Sequence, residues 1–239
     1  MGQNFRKTVA EVNLAHLRHN WKVIMDLSGD PQRFVCPMIK ANAYGHGDVR
    51  VALELEKIGA KRLGVCLIEE ALILRNAGVQ IDILVFRGFD LEGAREIARQ
   101  RLTPVVSTWE QLEYLDQLAN SVESWKVHIK FDTGMNRLGF DIREAKAISE
   151  WLQQREKFQV EGVLTHLFQS EDSVDLEGMT RYQIEKFETC LDFFTSWKPH
   201  VHVLNSGAIA GLSAVAIANS NHPLRKKFWG FRPGLILYG

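Results

Sequence analysis

The sequence lacks the features by which membrane, secreted and nucleic-acid-binding proteins are recognised. No apolar run approaches the roughly 20 residues of a membrane-spanning helix, and the polar residues 1–7 are not followed by an apolar signal core. The 29 basic and 29 acidic residues cancel, and the longest basic cluster is only residues 225–227. We therefore expect a cytoplasmic protein whose partners are neither nucleic acid nor a membrane.

Cysteine is scarce as well. The chain has three cysteines, widely spaced, and Cys36 and Cys66 lie in apolar, strand-like runs. We expect buried free thiols, which fit a reducing compartment. No Cys/His spacing typical of a metal site is present, so no metal is expected.

The sequence also has no Pro- or Ser-rich linker to divide its 239 residues, of which 46% are hydrophobic. We expect one domain, residues 1–239, in which apolar β-like runs alternate with helix-like segments. This alternation predicts parallel βαβ units, and right-handed crossovers favour a closed α/β fold, the (β/α)8 TIM-type barrel. A doubly wound open sheet is the alternative, but no G-x-G-x-x-G follows the first run. The predicted strands are Phe34–Ile39, Arg62–Leu67, Ile81–Phe86, Thr103–Ser107, Val127–Phe131, Val160–His166, His200–Leu204 and Trp229–Leu235.

A further run, Thr8–Asn13, alternates apolar and polar residues and predicts a short, half-buried strand. An eight-stranded barrel needs no ninth strand. We therefore expect this strand to pair with a partner outside the chain.

Polar or reactive residues end several of the predicted strands. In barrels, such residues gather at the mouth formed by the carboxyl ends of the strands. This distribution favours the barrel and predicts where its functional site lies. The residues are Lys40, Arg87, Asp132, His166, Asn205 and Arg232.

Lys40 opens a turn of small residues and glycines that also contains Tyr44. A lysine at a strand end can form a Schiff base with a carbonyl when desolvation lowers its pKa. An ordinary strand-to-helix turn with a solvated lysine explains this stretch equally well.

Arg137, on the turn 132–139, can bind a carboxylate or phosphate, although a solvated surface arginine is commoner. A lone histidine such as His166 is more often structural than catalytic.

Two of the strand ends offer a phosphate cradle. Asn205–Gly207 and Gly234–Leu235 follow the seventh and eighth predicted strands, where barrels commonly bind phosphate. Small residues with free backbone N–H groups can form an anion nest there. A lysine beside such a cradle suggests pyridoxal phosphate or, less specifically, a class I aldolase. We identify no acid partner for Lys40 of the kind that an aldolase usually needs.

Four motifs, in order along the chain, resemble those of the bacterial alanine racemases. They are residues 40–47, residues 130–139, Asn205-Ser206 and residues 232–239. The likeness starts at residues 10–14 and covers nearly the whole chain. It implies a barrel that binds pyridoxal 5'-phosphate, followed by a separate β domain. It also implies an enzyme, usually a homodimer, that interconverts L-alanine and D-alanine and supplies D-alanine for cell-wall peptidoglycan.

The resemblance implies roles for single residues as well. Lys40 would carry the cofactor as an internal aldimine and act as acid and base on one face of the substrate Cα, with Arg137 near the substrate carboxylate. Arg232 would face the pyridine nitrogen, which would stay unprotonated because arginine cannot take up a proton. His166 would hydrogen-bond or stack near Arg232, and Lys130 corresponds to a lysine that is carbamylated in many family members. The expected phosphate ligands are Tyr44, Asn205, Ser206 and the backbone N–H groups of Gly207, Gly234 and Leu235.

The resemblance does not extend to the complete mechanism. The family needs a tyrosine base on the opposite face of the substrate, from the β domain of the other subunit, and Tyr238 should not be mistaken for it. This chain is then either the barrel of a longer protein or a naturally short relative, and Thr8–Asn13 favours the first, because this strand joins the β domain in the family. A longer loop, residues 219–227, precedes the last strand. Two other functions stay open: a non-catalytic pyridoxal phosphate carrier of the same barrel type, and a fold-related decarboxylase, against which Arg232 argues.

Overall fold

Short parallel strands pair in the order in which the chain makes them. The computed structural model describes residues 8–170, 178–211 and 229–239. Strands pair in the order β1-β2-β3-β4-β6-β7-β8, and β5 pairs with the end of β4 alone. The strands are β1 Arg62–Val65, β2 Asp82–Val85, β3 Thr103–Val106, β4 Trp125–Asp132, β5 Phe140–Asp141, β6 Phe158–Leu164, β7 His200–Leu204 and β8 Gly230–Phe231.

Residues 34–39 close this sheet into a ring. The Cys36 N–H donates to the Phe231 carbonyl of β8 (2.9 Å), and the Ile39 N–H donates to the Gly64 carbonyl of β1 (2.9 Å). Seven of the eight predicted runs contain strands, whereas Phe34–Ile39 joins the ring through the isolated bridges Val35–Phe231 and Met38–Gly64. The TIM-type barrel fold is confirmed. The closure also fixes the backbone just before Lys40 from both sides.

Helices cover the outside of the ring, and three of them begin at a residue whose side chain caps the helix. The Asn13 side chain accepts a hydrogen bond from the Ala15 N–H and starts α1, and Asp90 and Thr108 cap α5 and α6 in the same way. None of the described helices is long and apolar enough to cross a membrane. The helices are α1 Leu14–Ser28, α2 Lys40–Tyr44, α3 Asp48–Lys57, α4 Ile68–Asn76, α5 Leu91–Arg99, α6 Trp109–Gln117, α7 Ala145–Gln153, α8 Met179–Leu191 and a last turn, Leu235–Tyr238; residues 206–211 are also helical.

The barrel core is apolar except for a few buried polar side chains. Four of these side chains are basic and less than 10% exposed: His128, Lys130, His202 and Arg232. Burying such groups is costly unless they find partners. These four side chains are therefore expected to have hydrogen-bond partners or a ligand inside the barrel.

The predicted ninth strand does not form in this chain. Thr8–Asn13 has no regular structure, and Val9 and Val12 are 72% and 40% exposed. The described residues offer this segment no partner strand, and its pairing with another domain stays a prediction. The longer loop predicted at residues 219–227 lies outside the described residues.

The cysteines are free thiols, as predicted. Cys36 and Cys190 are buried. Cys66 was predicted to be buried but is only partly so, because it lies where β1 ends and lines a cavity at the barrel mouth.

Candidate active site

A cavity of about 580 Å³ opens at the carboxyl ends of the barrel strands. This volume is typical of small-molecule sites. It gathers most of the residues predicted from the strand ends: Lys40, Tyr44, Lys130, Arg137, His166, Asn205, Ser206, Arg232 and Gly234. Gly207 and Leu235 are not part of its lining, and the Leu235 side chain is exposed.

The turn after Lys40 is left-handed. The φ angles of residues 41–44 lie between 51° and 55°, a region that costs a non-glycine residue roughly 1–2 kcal/mol. The ring of Tyr44 returns toward Lys40, whose Nζ lies 5.7 Å from the ring centroid. Strain of this kind persists only where surrounding contacts hold it.

Glu70 is one of the contacts that hold this turn. One oxygen of its carboxylate accepts a hydrogen bond from the Ala41 N–H (2.7 Å), and the other accepts from the Cys66 and Leu67 N–H groups (2.8 and 3.0 Å). Glu70 thus ties the residue after Lys40 to the start of α4. Sequence reasoning missed it, and the one available signal was an acidic residue in the first turn of a helix.

Tyr44, Ser206 and Gly234 converge at one end of the cavity. The Ser206 Oγ accepts hydrogen bonds from the Gly234 N–H (2.9 Å) and the Ile236 N–H (3.3 Å). A Cβ at Gly234 would overlap the Tyr44 hydroxyl, so only glycine fits there. Burial raises the pKa of Tyr44, which keeps its phenol protonated and able to donate. Tyr44, Ser206 and Gly234 thus lie together at the place where a phosphate cradle is predicted, and phosphate binding there stays a prediction.

Asn205 caps a helix rather than adding to this cradle. Its Oδ1 accepts a hydrogen bond from the Ala208 N–H (3.2 Å), and its Nδ2 donates to the Leu167 carbonyl (3.3 Å). Both ends of the amide are therefore occupied. Asn205 lines the cavity and fixes the start of the helical residues that present Ser206.

Arg232 is buried at the centre of the barrel. Its Nη1 donates to the carbonyl and to Nδ1 of His202 (3.0 Å for Nδ1), and its Nη2 donates to the carbonyls of Thr165 (2.7 Å) and Val203 (3.3 Å). Nε is the one guanidinium nitrogen to which the described residues give no partner. Burial lowers the pKa of Arg232 to about 10, so the side chain remains a cation at neutral pH.

The imidazole bonded to Arg232 is therefore His202, which sequence reasoning did not select. His166, predicted to lie against Arg232, lines the same cavity, and Gln183 donates to its carbonyl (3.1 Å). Burial, and then the nearby cations led by Arg232, lower the pKa of His166 to about 3. The His166 ring is thus neutral at physiological pH.

The cavity is rich in cations. Burial and then the positive charges of Arg232 and Arg137 lower the pKa of Lys130 to about 8. Arg87, at the end of β2, adds a cation to which no role was assigned from the sequence. No Asp or Glu occurs among the described residues of the lining. Such a site favours a ligand with several negative charges.

Tyr238 lies outside this cavity. Its hydroxyl donates a hydrogen bond to the Met38 carbonyl (3.0 Å), and burial strongly raises its pKa. Tyr238 therefore supports the strand that leads to Lys40. Tyr44 is the one tyrosine among the described residues that line the cavity.

The chain is similar to alanine racemases over nearly its whole length. It is 37% identical to the alanine racemase of Sorangium cellulosum and 35% identical to that of Carboxydothermus hydrogenoformans, over 98% of this chain in both. These matches cover 61% and 60% of the two relatives. The chain thus spans about three fifths of the length of the curated relatives it matches.

Solved structures agree with the sequence comparison. Alanine racemase of Clostridium difficile in complex with cycloserine superposes with a TM-score of 0.84 at 32% identity, covering 99% of this chain and 63% of that one. The Bartonella henselae alanine racemase with covalently bound pyridoxal phosphate gives 0.79 at 25% identity, covering 95% and 62%. Residues 12–239 match the family described as alanine racemase, N-terminal domain. The chain therefore belongs to the alanine racemase N-terminal domain family.

Proposed function

We propose that the cavity binds pyridoxal 5'-phosphate and that Lys40 is the residue to which it attaches. The observation that carries this proposal is the cradle of Tyr44, Ser206 and Gly234, which opens on the same cavity as the Lys40 amine. The cationic lining, in which the described residues include no Asp or Glu, suits a phosphate and a substrate carboxylate together. The alanine racemase of Bartonella henselae has covalently bound pyridoxal phosphate, which supports the same cofactor here.

When bound, pyridoxal phosphate supplies an aldehyde that condenses with a primary amine and a ring that withdraws electrons from the substrate Cα. The chain's own groups hold and orient it. The hydroxyls of Tyr44 and Ser206 bind the phosphate, and the exposed Arg137 at the rim binds the substrate carboxylate. The Lys40 amine then gives and takes the proton at Cα on one face.

Arg232 sets the protonation of the ring nitrogen. Its Nη groups are held by the barrel, which leaves the Nε–H to donate to the cofactor. A guanidinium only donates and stays charged, so it cannot hand the nitrogen a proton as a carboxylic acid would. An unprotonated ring nitrogen would make the bound cofactor a weaker electron sink, which would favour return of the proton to Cα over transamination. This choice suits a racemase better than a decarboxylase.

We propose further that Lys130 is carbamylated. A pKa of about 8 leaves part of this amine neutral near physiological pH, and a neutral amine adds to CO2, forming a carbamate and releasing a proton. The carbamate would be an anion beside Arg137 and could orient it. Intact-protein mass should show one added CO2 that is lost in acid, and Lys130→Met should lack it. An unchanged mass in CO2-saturated buffer would reject the modification.

For the whole protein we propose racemisation of L-alanine and D-alanine. The base for the second face of the substrate would come from outside this chain, in a homodimeric, cytoplasmic enzyme that supplies D-alanine for peptidoglycan. A metal ion has no part in this scheme. The shared family, not a described contact, carries this broader proposal.

The test is exchange at Cα in D2O. The chain loaded with pyridoxal phosphate should exchange the Cα proton of one alanine enantiomer and not the other, because Lys40 serves one face. Lys40→Ala should abolish both this exchange and the visible absorbance of the bound cofactor, while Lys22→Ala, on the exposed face of α1, should leave both unchanged. A coloured protein that exchanges neither enantiomer would instead favour the non-catalytic carrier.

A further inference from the structure

Two buried histidines extend the contacts of Arg232 into the barrel core. His202 Nδ1 lies 3.0 Å from Arg232 Nη1, and His202 Nε2 lies 2.8 Å from His128 Nδ1. His202 is fully buried and His128 is 2% exposed. Arg232, His202 and His128 thus form one hydrogen-bonded network, which starts at the cavity and ends at His128 on β4.

Arg232 determines which atom donates and which accepts in both hydrogen bonds, the one to His202 and the one from His202 to His128. A guanidinium only donates, so His202 Nδ1 must be the acceptor. Burial lowers the pKa of His202 well below its usual value and that of His128 to about 3, so both rings are neutral at pH 7. A neutral imidazole carries one N–H. The His202 proton is therefore on Nε2 and is donated to His128 Nδ1, which leaves the His128 proton on Nε2.

We propose that His128 is a positioning residue for Arg232, because it accepts the His202 Nε2–H and so holds the His202 ring in the orientation that offers Nδ1 to the guanidinium. His128 is not part of the cavity lining and acts through His202 alone. The value of this placement for the cofactor rests on the function proposed above. The hydrogen bonds among Arg232, His202 and His128 do not depend on that function, because they are present in the barrel without cofactor.

The packing around both rings supports a fixed orientation. Gly162 of β6 lies against His128, and a Cβ there would overlap Nδ1, so the ring rests on bare backbone. Phe34 stacks on His202 with ring centroids 4.3 Å apart. Without an acceptor at position 128, the His202 Nε2–H would be buried and unpaired, a state that proteins avoid. Rotating the ring to satisfy it would break the contact with Arg232.

Two variants separate the acceptor from the bulk of the ring. In His128→Asn the side-chain oxygen can take the place of Nδ1, whereas His128→Leu fills the space without an acceptor. The cofactor-free chain, labelled with 15N histidine and arginine, reports the His202 tautomer and the Arg232 signals by NMR. We expect the wild-type and His128→Asn proteins to show His202 protonated on Nε2, and His128→Leu to show mixed tautomers with shifted Arg232 signals.

Cofactor affinity provides the second readout. Pyridoxal phosphate should bind about tenfold more weakly to His128→Leu and within about threefold of wild type to His128→Asn. Two results would overturn the proposal: a wild-type His202 protonated on Nδ1, or identical His202 and Arg232 signals in wild type and His128→Leu. If His128→Leu does not fold, the His202 tautomer measured in the wild type and in His128→Asn still tests the proposal. Because the tautomer is read without cofactor, a chain that binds no pyridoxal phosphate would refute the proposed function alone.

Discussion

Glycine at position 41 should stabilise this protein, the reverse of its usual effect in a helix. Ala41 follows Lys40 with φ 51° and ψ 53°, and its side chain is exposed. Ala41→Gly therefore relieves backbone strain and removes almost no packing. The Ala41 N–H that donates to Glu70 is kept.

The expected gain is the difference between two opposing effects. Relief of left-handed strain is worth roughly 1–2 kcal/mol, and the greater freedom of glycine in the unfolded chain costs roughly 0.4–1 kcal/mol. The free energy of unfolding should thus rise by about 0.5–1 kcal/mol. Ala147→Gly is the matched control, since Ala147 is exposed in the right-handed helix α7. It should lower the free energy of unfolding by about 0.5–1 kcal/mol.

Urea unfolding followed by tryptophan fluorescence measures both changes. The two variants should differ by about 1.5 kcal/mol, with unchanged m-values. If Ala41→Gly destabilises the protein as much as Ala147→Gly does, the backbone after Lys40 is not left-handed. The presentation of Lys40 described above would then be wrong.

Two further variants test the surroundings of Lys40. Glu70→Ala removes the acceptor of three backbone N–H groups. It should lower the free energy of unfolding by about 2 kcal/mol and weaken pyridoxal phosphate binding. A loss of stability with unchanged affinity would show that Glu70 does not position Lys40. For Lys130, the folded pKa of about 8 lies below the usual 10.5, so the unfolded chain binds more protons between these pH values. In CO2-free buffer the free energy of unfolding of the wild type, measured relative to that of Lys130→Met, should therefore rise by about 3 kcal/mol from pH 8 to 10.5. Lys130→Met should lack this rise, and an equal slope in the variant would contradict the burial of a charged amine.

The strands could be predicted because their sequence carries the signal. Barrel strands are buried on both faces and read as continuous apolar runs, and each of the eight predicted runs holds a place in the ring. The strand predicted at Thr8–Asn13 does not form, for a physical reason. Alternation predicts which face of a strand would be buried, but a strand forms only when another strand pairs with it. The described residues supply none.

The site was predictable where a residue lies on a motif and not where it acts across the barrel. Lys40, Ser206 and Arg232 end strands and were found from that position. Glu70, His202 and His128 were missed because their partners are distant in sequence, 29 residues from Glu70 to Ala41 and 74 from His128 to His202. Only the closed ring brings these pairs together.

The central claim is that the barrel cavity carries pyridoxal phosphate on Lys40. Borohydride reduction of the loaded chain, followed by protease digestion and mass mapping, locates the attached cofactor directly. We predict one pyridoxyl group per chain, on the peptide that contains Lys40, and none in Lys40→Ala. A label on another lysine, or one spread over several surface lysines, would contradict the claim.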